Sequence, residues 1–210
     1  MKRGRPRKTD PNIVLDTAMK VFWDKGYEGT SMNDLVVATG MAKPGLYAAF
    51  GDKEGIYTKA LQHYFHHYST PLLDDILNSP DRLEVVIRRA LRAIAASASD
   101  KTGPSGCFAV HAIIECASQP PAMEALGCAI NEKRHKTFLK RFRAAKRDGE
   151  LPDTANARTL AEFFSGQVLA LAVMARAGAD RNSLYRFIDV AMKALPKGSP
   201  ANASIAASNA

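Results

Sequence analysis

Cysteine is scarce, with three in 210 residues. Three thiols cannot all pair, so a disulfide-built scaffold is excluded and free thiols in a reducing compartment are expected. Long apolar runs are missing too. The longest, 168–175, stops at Arg176 and falls far short of the ~18 residues of a membrane span, so an integral membrane protein is not expected. The charged start of the chain lacks the apolar core of a signal peptide, which favours a cytoplasmic location over export. Acidic side chains are outnumbered, 21 against 29 Lys and Arg, giving a net charge of +8, a balance that suits polyanionic partners. No Gly-rich phosphate loop, H-E-x-x-H or G-x-S-x-G occurs, so no catalytic residue, cofactor or enzyme activity is expected. What is present is an ordinary globular mixture, 46% hydrophobic and 24% charged, long enough for one domain or a small one joined to a larger.

The basic charge is clustered. Residues 1–8, MKRGRPRK, carry Lys2, Arg3, Arg5, Arg7 and Lys8 with no acid. Residues 1–10 therefore read as a flexible arm, either a solubilising tail or a strand lying in a DNA minor groove, where arginines meet enhanced negative potential. Arg3-Gly4-Arg5-Pro6 looks like the core of an AT-hook. A second cluster runs from Lys133 through Arg134, Lys136, Lys140, Arg141, Arg143 and Lys146 to Arg147, with Leu139 and Phe142 among them. That spacing predicts an amphipathic helix with a basic, solvated polar face, an anionic effector or a second DNA contact being the alternatives.

Helical periodicity dominates everywhere. Pro11 opens a helix that stops at Gly26; Ser31 caps a short one closed by Gly40; another fits 42–50, with Pro44 tolerated in its first turn; Asp52 caps a longer one. Further helices are expected at about 80–99, 107–118 (a short one), 122–147, 154–177 and 182–195, separated by Gly- and Pro-containing breaks. The fold class is all-α with about nine helices. The expected organisation is an arm (1–10), a helix-turn-helix DNA-binding domain (11–55, linked through helix to about 68), a helical body (69–196) and a disordered tail (197–210).

The informative segment is 30–53, TSMNDLVVATGMAKPGLYAAFGDK. It sets two short helices about a turn at Thr39-Gly40-Met41, which is helix-turn-helix geometry. Leu35, Val36, Leu46 and Phe50 can supply the buried back, leaving Lys43 at the exposed start of the second helix, able to reach base edges or phosphate. Gly26-Tyr27, Thr30-Ser31, Leu35, Gly40, Leu46-Tyr47, Phe50 and Asp52-Lys53-Glu54 together resemble the TetR family of bacterial transcriptional regulators.

The resemblance implies a role for each matching position. Ser31 stands where a hydroxyl caps the helix and touches phosphate, Tyr47 where a tyrosine contacts the DNA backbone, and Lys53 where an ammonium meets phosphate. Asn33, Lys43, Pro44 and Gly45 stand where residues read bases or lie against them. Ala42, Ala48 and Ala49 depart from the usual pattern by being small, which leaves more of the discrimination to Lys43 and to Arg3, Arg5 and Arg7. The residues alone leave Tyr47 open to being a packed ring, and Ser31 to being a cap and nothing more.

The resemblance also implies a C-terminal body that binds a small effector and dimerises. An apolar cavity could be lined by Phe108, His111, Ile114, Met123, Leu126, Phe138 and Phe164, with the imidazole as polar handle, although each such residue is more often ordinary core. Phe163, Gly166, Ala170, Val173, Leu184, Phe187 and Ile188 form the expected homodimer interface, with a wholly intramolecular core as the alternative. His63 and His67, like Cys107 and His111, are four apart, but neither pair completes a four-ligand set, so no metal is expected. Cys107, at an expected helix start, heads Cys116 and Cys128 as a candidate reactive thiol. The function implied is a ligand-responsive repressor that binds a palindromic double-stranded DNA operator as a homodimer. An architectural A·T-preferring DNA binder, relying on the arm, is the alternative.

Overall fold

In a computed structural model, residues 10–115 and 121–197 are described; the arm arginines Arg3, Arg5 and Arg7, together with Cys116 and the tail from residue 198, lie outside them. Among the described residues all regular structure is helical: α1 (Pro11–Lys25), α2 (Met32–Thr39), α3 (Lys43–Phe50), α4 (Lys53–Tyr64), a π-helical turn (Phe65–Ser69), α5 (Thr70–Asn78), α6 (Leu83–Ala98), α7 (Phe108–Glu115), α8 (Pro121–Arg147), α9 (Ala157–Arg176), α10 (Arg181–Ala191) and a short 3-10 turn (Met192–Ala194). No helix among them is long and apolar enough to cross a membrane.

Local chemistry sets most helix ends. Asp10 accepts the Asn12 N–H (2.9 Å) ahead of Pro11. Ser31 and Asp34 form a reciprocal capping box on α2. Asp52 accepts the Gly55 N–H (2.8 Å) at the start of α4, and Asn156 accepts from Arg158 and Thr159 on α9. Gly40 closes α2 at φ 66°, the left-handed conformation that turns the chain into α3.

Two sequence expectations are corrected. The linking helix does not end at about residue 68: α4 continues through the π turn into α5, one helical run over 53–78. Pro71, in the first turn of α5, has no N–H to give to an i→i−4 bond, and a change of register just before it lets the helix go on. The next helix accordingly starts at Leu83 rather than at Ser79-Pro80, with its first N–H donated to Glu150 Oε2 (2.5 Å). The basic stripe of α8 is likewise not all solvated. Arg134 and Arg141 are buried, at 6% and 5% exposure, because α8 packs against α9, α5 and α7 around much of its circumference.

Two cores result. The first holds Val14, Phe22, Leu35, Leu46, Ile56 and Tyr57 from α1–α4, and also takes Phe108, Ala112 and Met123 from α7 and the start of α8. Phe108 sits edge-on to Tyr57 (5.5 Å between ring centres) and to Tyr64 (5.8 Å). The second holds Ile76, Ile87, Leu91, Phe138, Phe142, Phe164, Leu171, Leu184 and Ile188. Phe65, in the π turn, packs against both.

Candidate nucleic-acid interface

The α2–turn–α3 unit has one buried side and one open side. Leu35 and Leu46 are fully buried and Phe50 nearly so, which fixes the angle between two helices too short to be stable alone. Lys43, Pro44, Tyr47, Ala48 and Ala49 then face outward. Tyr47 is 44% exposed, so it is not a packed ring; the Lys43 ammonium lies 5.9 Å from the centre of its ring. Gly45 is half-buried, and a Cβ added there would come within 3.3 Å of the Met41 Cε. Asn33 is exposed on α2.

The acid in this region is neutralised locally. Asp34 accepts from Lys25 Nζ (2.5 Å), the Ser31 hydroxyl (2.5 Å) and the Ser31 N–H (2.8 Å). Those bonds, Lys25 first and Ser31 next, hold its carboxyl well below the usual carboxylate range. Ser31 Oγ in turn accepts the Asp34 N–H (3.1 Å). Its hydroxyl proton is therefore committed to Asp34, so the cap is fully formed and a phosphate would have to compete for that proton.

Lys53 does not extend into solvent. It donates to the Tyr27 carbonyl (3.0 Å) with its ammonium 4.1 Å from the centre of the Tyr27 ring, leaving its remaining N–H groups to meet an anion. Lys59 was missed in the sequence. From α4 it donates to the Ala49 carbonyl (3.3 Å), 5.5 Å from the Phe50 ring centre, and adds positive charge at the C-terminal end of α3. Its position beyond the motif gave no signal, since only the packing of α4 on α3 brings it there.

The body residues do not gather as expected. Of the seven proposed to line a cavity, only Phe138 borders the half-open cavity of about 350 Å³ between α4, the π turn, α5, α6, α7, α8 and α9. Phe108 and Met123 fill the first core and Leu126 packs against it. Phe164 stacks on Phe142 (5.5 Å) in the second, and His111 and Ile114 border a separate groove against Val173 and Arg176. Physically, the bulkiest of these side chains were needed to close the two cores. The interface set divides similarly. Phe163 and Val173 are exposed and Gly166 and Ala170 half-buried, whereas Leu184 and Ile188 are fully buried in their own chain's core, with Phe187 packed beside them. Cys107 is half-buried with its sulfur 3.2 Å from the Tyr64 hydroxyl, and Cys128 is exposed.

Comparison with known proteins agrees with this geometry. Residues 14–60 match the family model described as bacterial regulatory proteins, tetR family. Residues 80–191 match the tetracyclin repressor-like C-terminal domain. The HTH-type transcriptional repressor ComR of Escherichia coli K12 is 31% identical over 201 residues, 93% of each chain. A cysteine mutant of the TetR family regulator CifR, solved with a 26-base-pair operator, superposes with a TM-score of 0.81 at 31% identity, covering 92% of this chain and all of that one. A TetR regulator from Chloroflexus aurantiacus shares the fold at a TM-score of 0.77 and 20% identity, covering 89% of this chain and 95% of that one. The chain thus belongs to the TetR family of bacterial transcriptional regulators, with the helix-turn-helix at α2–α3 as its DNA-binding element.

Proposed function

We propose that this regulator is a repressor that binds a palindromic operator as a homodimer and is released by a small molecule held in the body. The observation that carries this reading is the helical run 53–78. Its first half is built into the first core through Ile56, Tyr57, Ala60 and Leu61; its second half borders the 350 Å³ cavity through Phe65, Tyr68, Leu72 and Ile76. A ligand that fits one arrangement of that cavity better than another biases the angle of α3, which is all that a population shift requires. The naming of ComR as a repressor and the capture of CifR on operator DNA support the same reading. In it, residues 11–55 read DNA through Asn33, Lys43, Pro44, Gly45 and Tyr47, with Ser31, Lys53 and the arm arginines on phosphate or in the minor groove. Residues 69–196 sense and dimerise.

The test is selection of bound fragments from the source genome, followed by binding of the best fragment across a salt series. Enrichment of one short palindrome, bound about a thousandfold tighter than scrambled DNA, is expected. Enrichment of A·T-rich DNA without a palindrome would replace this reading with an architectural binder acting through its arm.

A further inference from the structure

Two arginines on α8 are buried to the same extent but are treated differently by their surroundings. Arg141, 5% exposed, has its charge matched: both terminal nitrogens lie 3.2 Å from Glu150 Oε1, and Nη2 also donates to the Asp81 carbonyl (2.9 Å). Arg134, 6% exposed, has among the described residues only neutral partners, the Ser165 hydroxyl (3.2 Å from Nε) and the Asn131 side-chain carbonyl at Nη2. Among the described residues no carboxylate lies within ion-pair distance of it and none accepts a hydrogen bond from Nη1. A guanidinium cannot shed its charge to escape burial, and removing an ion from water without a counterion is costly.

Arg134 also borders the 350 Å³ cavity, and the other lining residues include no Asp or Glu. The walls are Leu72, Leu73, Ile76, Ile94, Phe138 and Val168. Tyr64 and Cys107 also line it, the hydroxyl and the thiol 3.2 Å apart. Burial, and then Cys107, push the Tyr64 phenol upward, which keeps it a neutral donor. The Lys133 ammonium lies 4.8 Å from the ring centre of Phe65, another lining residue, and adds positive potential. The cavity is therefore mostly apolar, with one unmatched positive charge in its wall.

We infer that the ligand of this cavity is an apolar carboxylic acid, bound as its anion with the carboxylate on the Arg134 guanidinium and the hydrocarbon portion among the leucines and isoleucines of α5 and α6. The carboxylate supplies the missing counterion and a charge-assisted, two-point geometry; the hydrocarbon supplies burial at roughly 25 cal/mol per Å². The inference rests on the proposal that this cavity is the sensing site, but it concerns the chemistry of the ligand and stands or falls separately from operator release.

Calorimetric titration of the full chain with octanoate and phenylacetate, each compared with its amide, and with octylamine, tests it. Saturable binding of the carboxylates is expected, about tenfold or more tighter than the amides, with no binding of octylamine. Arg134→Met, which keeps the length and apolar stem, is expected to lose the acid-over-amide preference. Arg134→Lys is expected to keep part of it. A merely structural arginine would lower the melting temperature of Arg134→Met and leave the preference unchanged. Equal binding of octanoate and octanamide by the unaltered protein, an undiminished preference in Arg134→Met, or no saturable carboxylate binding would each overturn the inference. Operator release is read in parallel. Carboxylate binding without release overturns the proposed sensing function and leaves this assignment in place, whereas release by a neutral compound without carboxylate binding does the reverse.

Discussion

The guanidinium of Arg176, the last residue of α9, donates through Nη1 to the backbone carbonyl of Trp23 (3.2 Å) and through Nη2 to that of Asp24 (2.8 Å). Those carbonyls end α1, where helix carbonyls lack intrahelical partners and the dipole is negative. The Trp23 ring is in turn edge-on to Tyr64 (5.2 Å) and stacked with Phe108 (6.3 Å). One residue of the first core is thus held by its backbone to α9 and by its ring to α4 and α7, the elements that frame the cavity.

Arg176→Ala removes a charged double donor at a partly exposed site. The expected cost is about 1–2 kcal/mol of unfolding free energy in urea, with Arg176→Lys losing less. Unchanged stability would mean that water replaces the arginine without loss.

Ser31→Ala breaks the α2 capping box and should cost about 1 kcal/mol, read by urea denaturation at pH 7. The pH dependence has a definite sign. Because the Asp34 carboxyl is held below its unfolded value, its contribution is present above about pH 4 and is lost as the pH falls further. Asp34→Asn should remove that part of the acid sensitivity. A Ser31→Ala protein with unaltered stability would show that the Lys25–Asp34 pair alone holds the turn.

These caps were legible because their chemistry is local: Ser31, Gly40 and Asp52 announce a helix end within four residues. The open face of α3 was legible for a similar reason, since Leu46 and Phe50 mark its back. Burial that depends on distant partners was not. Arg134 and Arg141 carry the same pattern signal as Lys140 and Arg143, and only Ser165, Glu150 and the Asp81 carbonyl distinguish them. The apolar stripe Leu184–Ile188 looks like the stripe Phe163–Val173 in sequence, but one turns into the core and the other does not. Phe108 and Phe164 were aromatic residues on helices of the body, as a ligand site would need. Whether such a ring lines a cavity or fills it is decided by how the π turn and α7 pack.

Acidification should weaken the fold through the His63 cluster. His63 lies 4.3 Å ring to ring from His67, with His66 5.0 Å from His67. Burial, then His67, lower the His63 imidazole below its ordinary value, Asp16 opposing them. A histidine whose folded pKa lies below its unfolded one binds more protons when unfolded, so stability falls as the pH drops through about 6.5. A lower melting temperature at pH 5.5 than at 7.5 is expected, with the difference reduced in His63→Gln. A difference of the same size in that variant would place the effect elsewhere.

On DNA, Tyr47→Phe should leave the melting temperature unchanged, because the hydroxyl is exposed, and weaken operator binding by about 1 kcal/mol equally on all sequences if it meets the backbone. Lys43→Ala should cost about 1–3 kcal/mol at the operator and much less on scrambled DNA if the ammonium reaches a base edge. Equal losses on both DNAs would reassign Lys43 to phosphate.

The most exposed part of the α9 seam decides how two recognition helices could be paired. Phe163, Gly166, Ala170 and Val173 follow one another at steps of three and four, so they lie on one face of the helix, and Phe163 and Val173 remain 38% and 46% exposed. Among the described residues nothing stands within 4 Å of a Cβ built on Gly166, so this side is open to them in the single chain, while Leu184 and Ile188 on α10 are already used inside it. The two small residues would let a symmetry-related α9 approach closely, with Phe163 and Val173 as the apolar anchors. Val173→Asp would place a desolvated, unpaired charge in such a contact but costs little on an exposed surface. It should therefore leave the helical content and the second core intact while shifting the protein from dimer to monomer in sedimentation and reducing palindrome binding towards that of a half-site. A variant that still sediments as a dimer would move the interface off this face of α9.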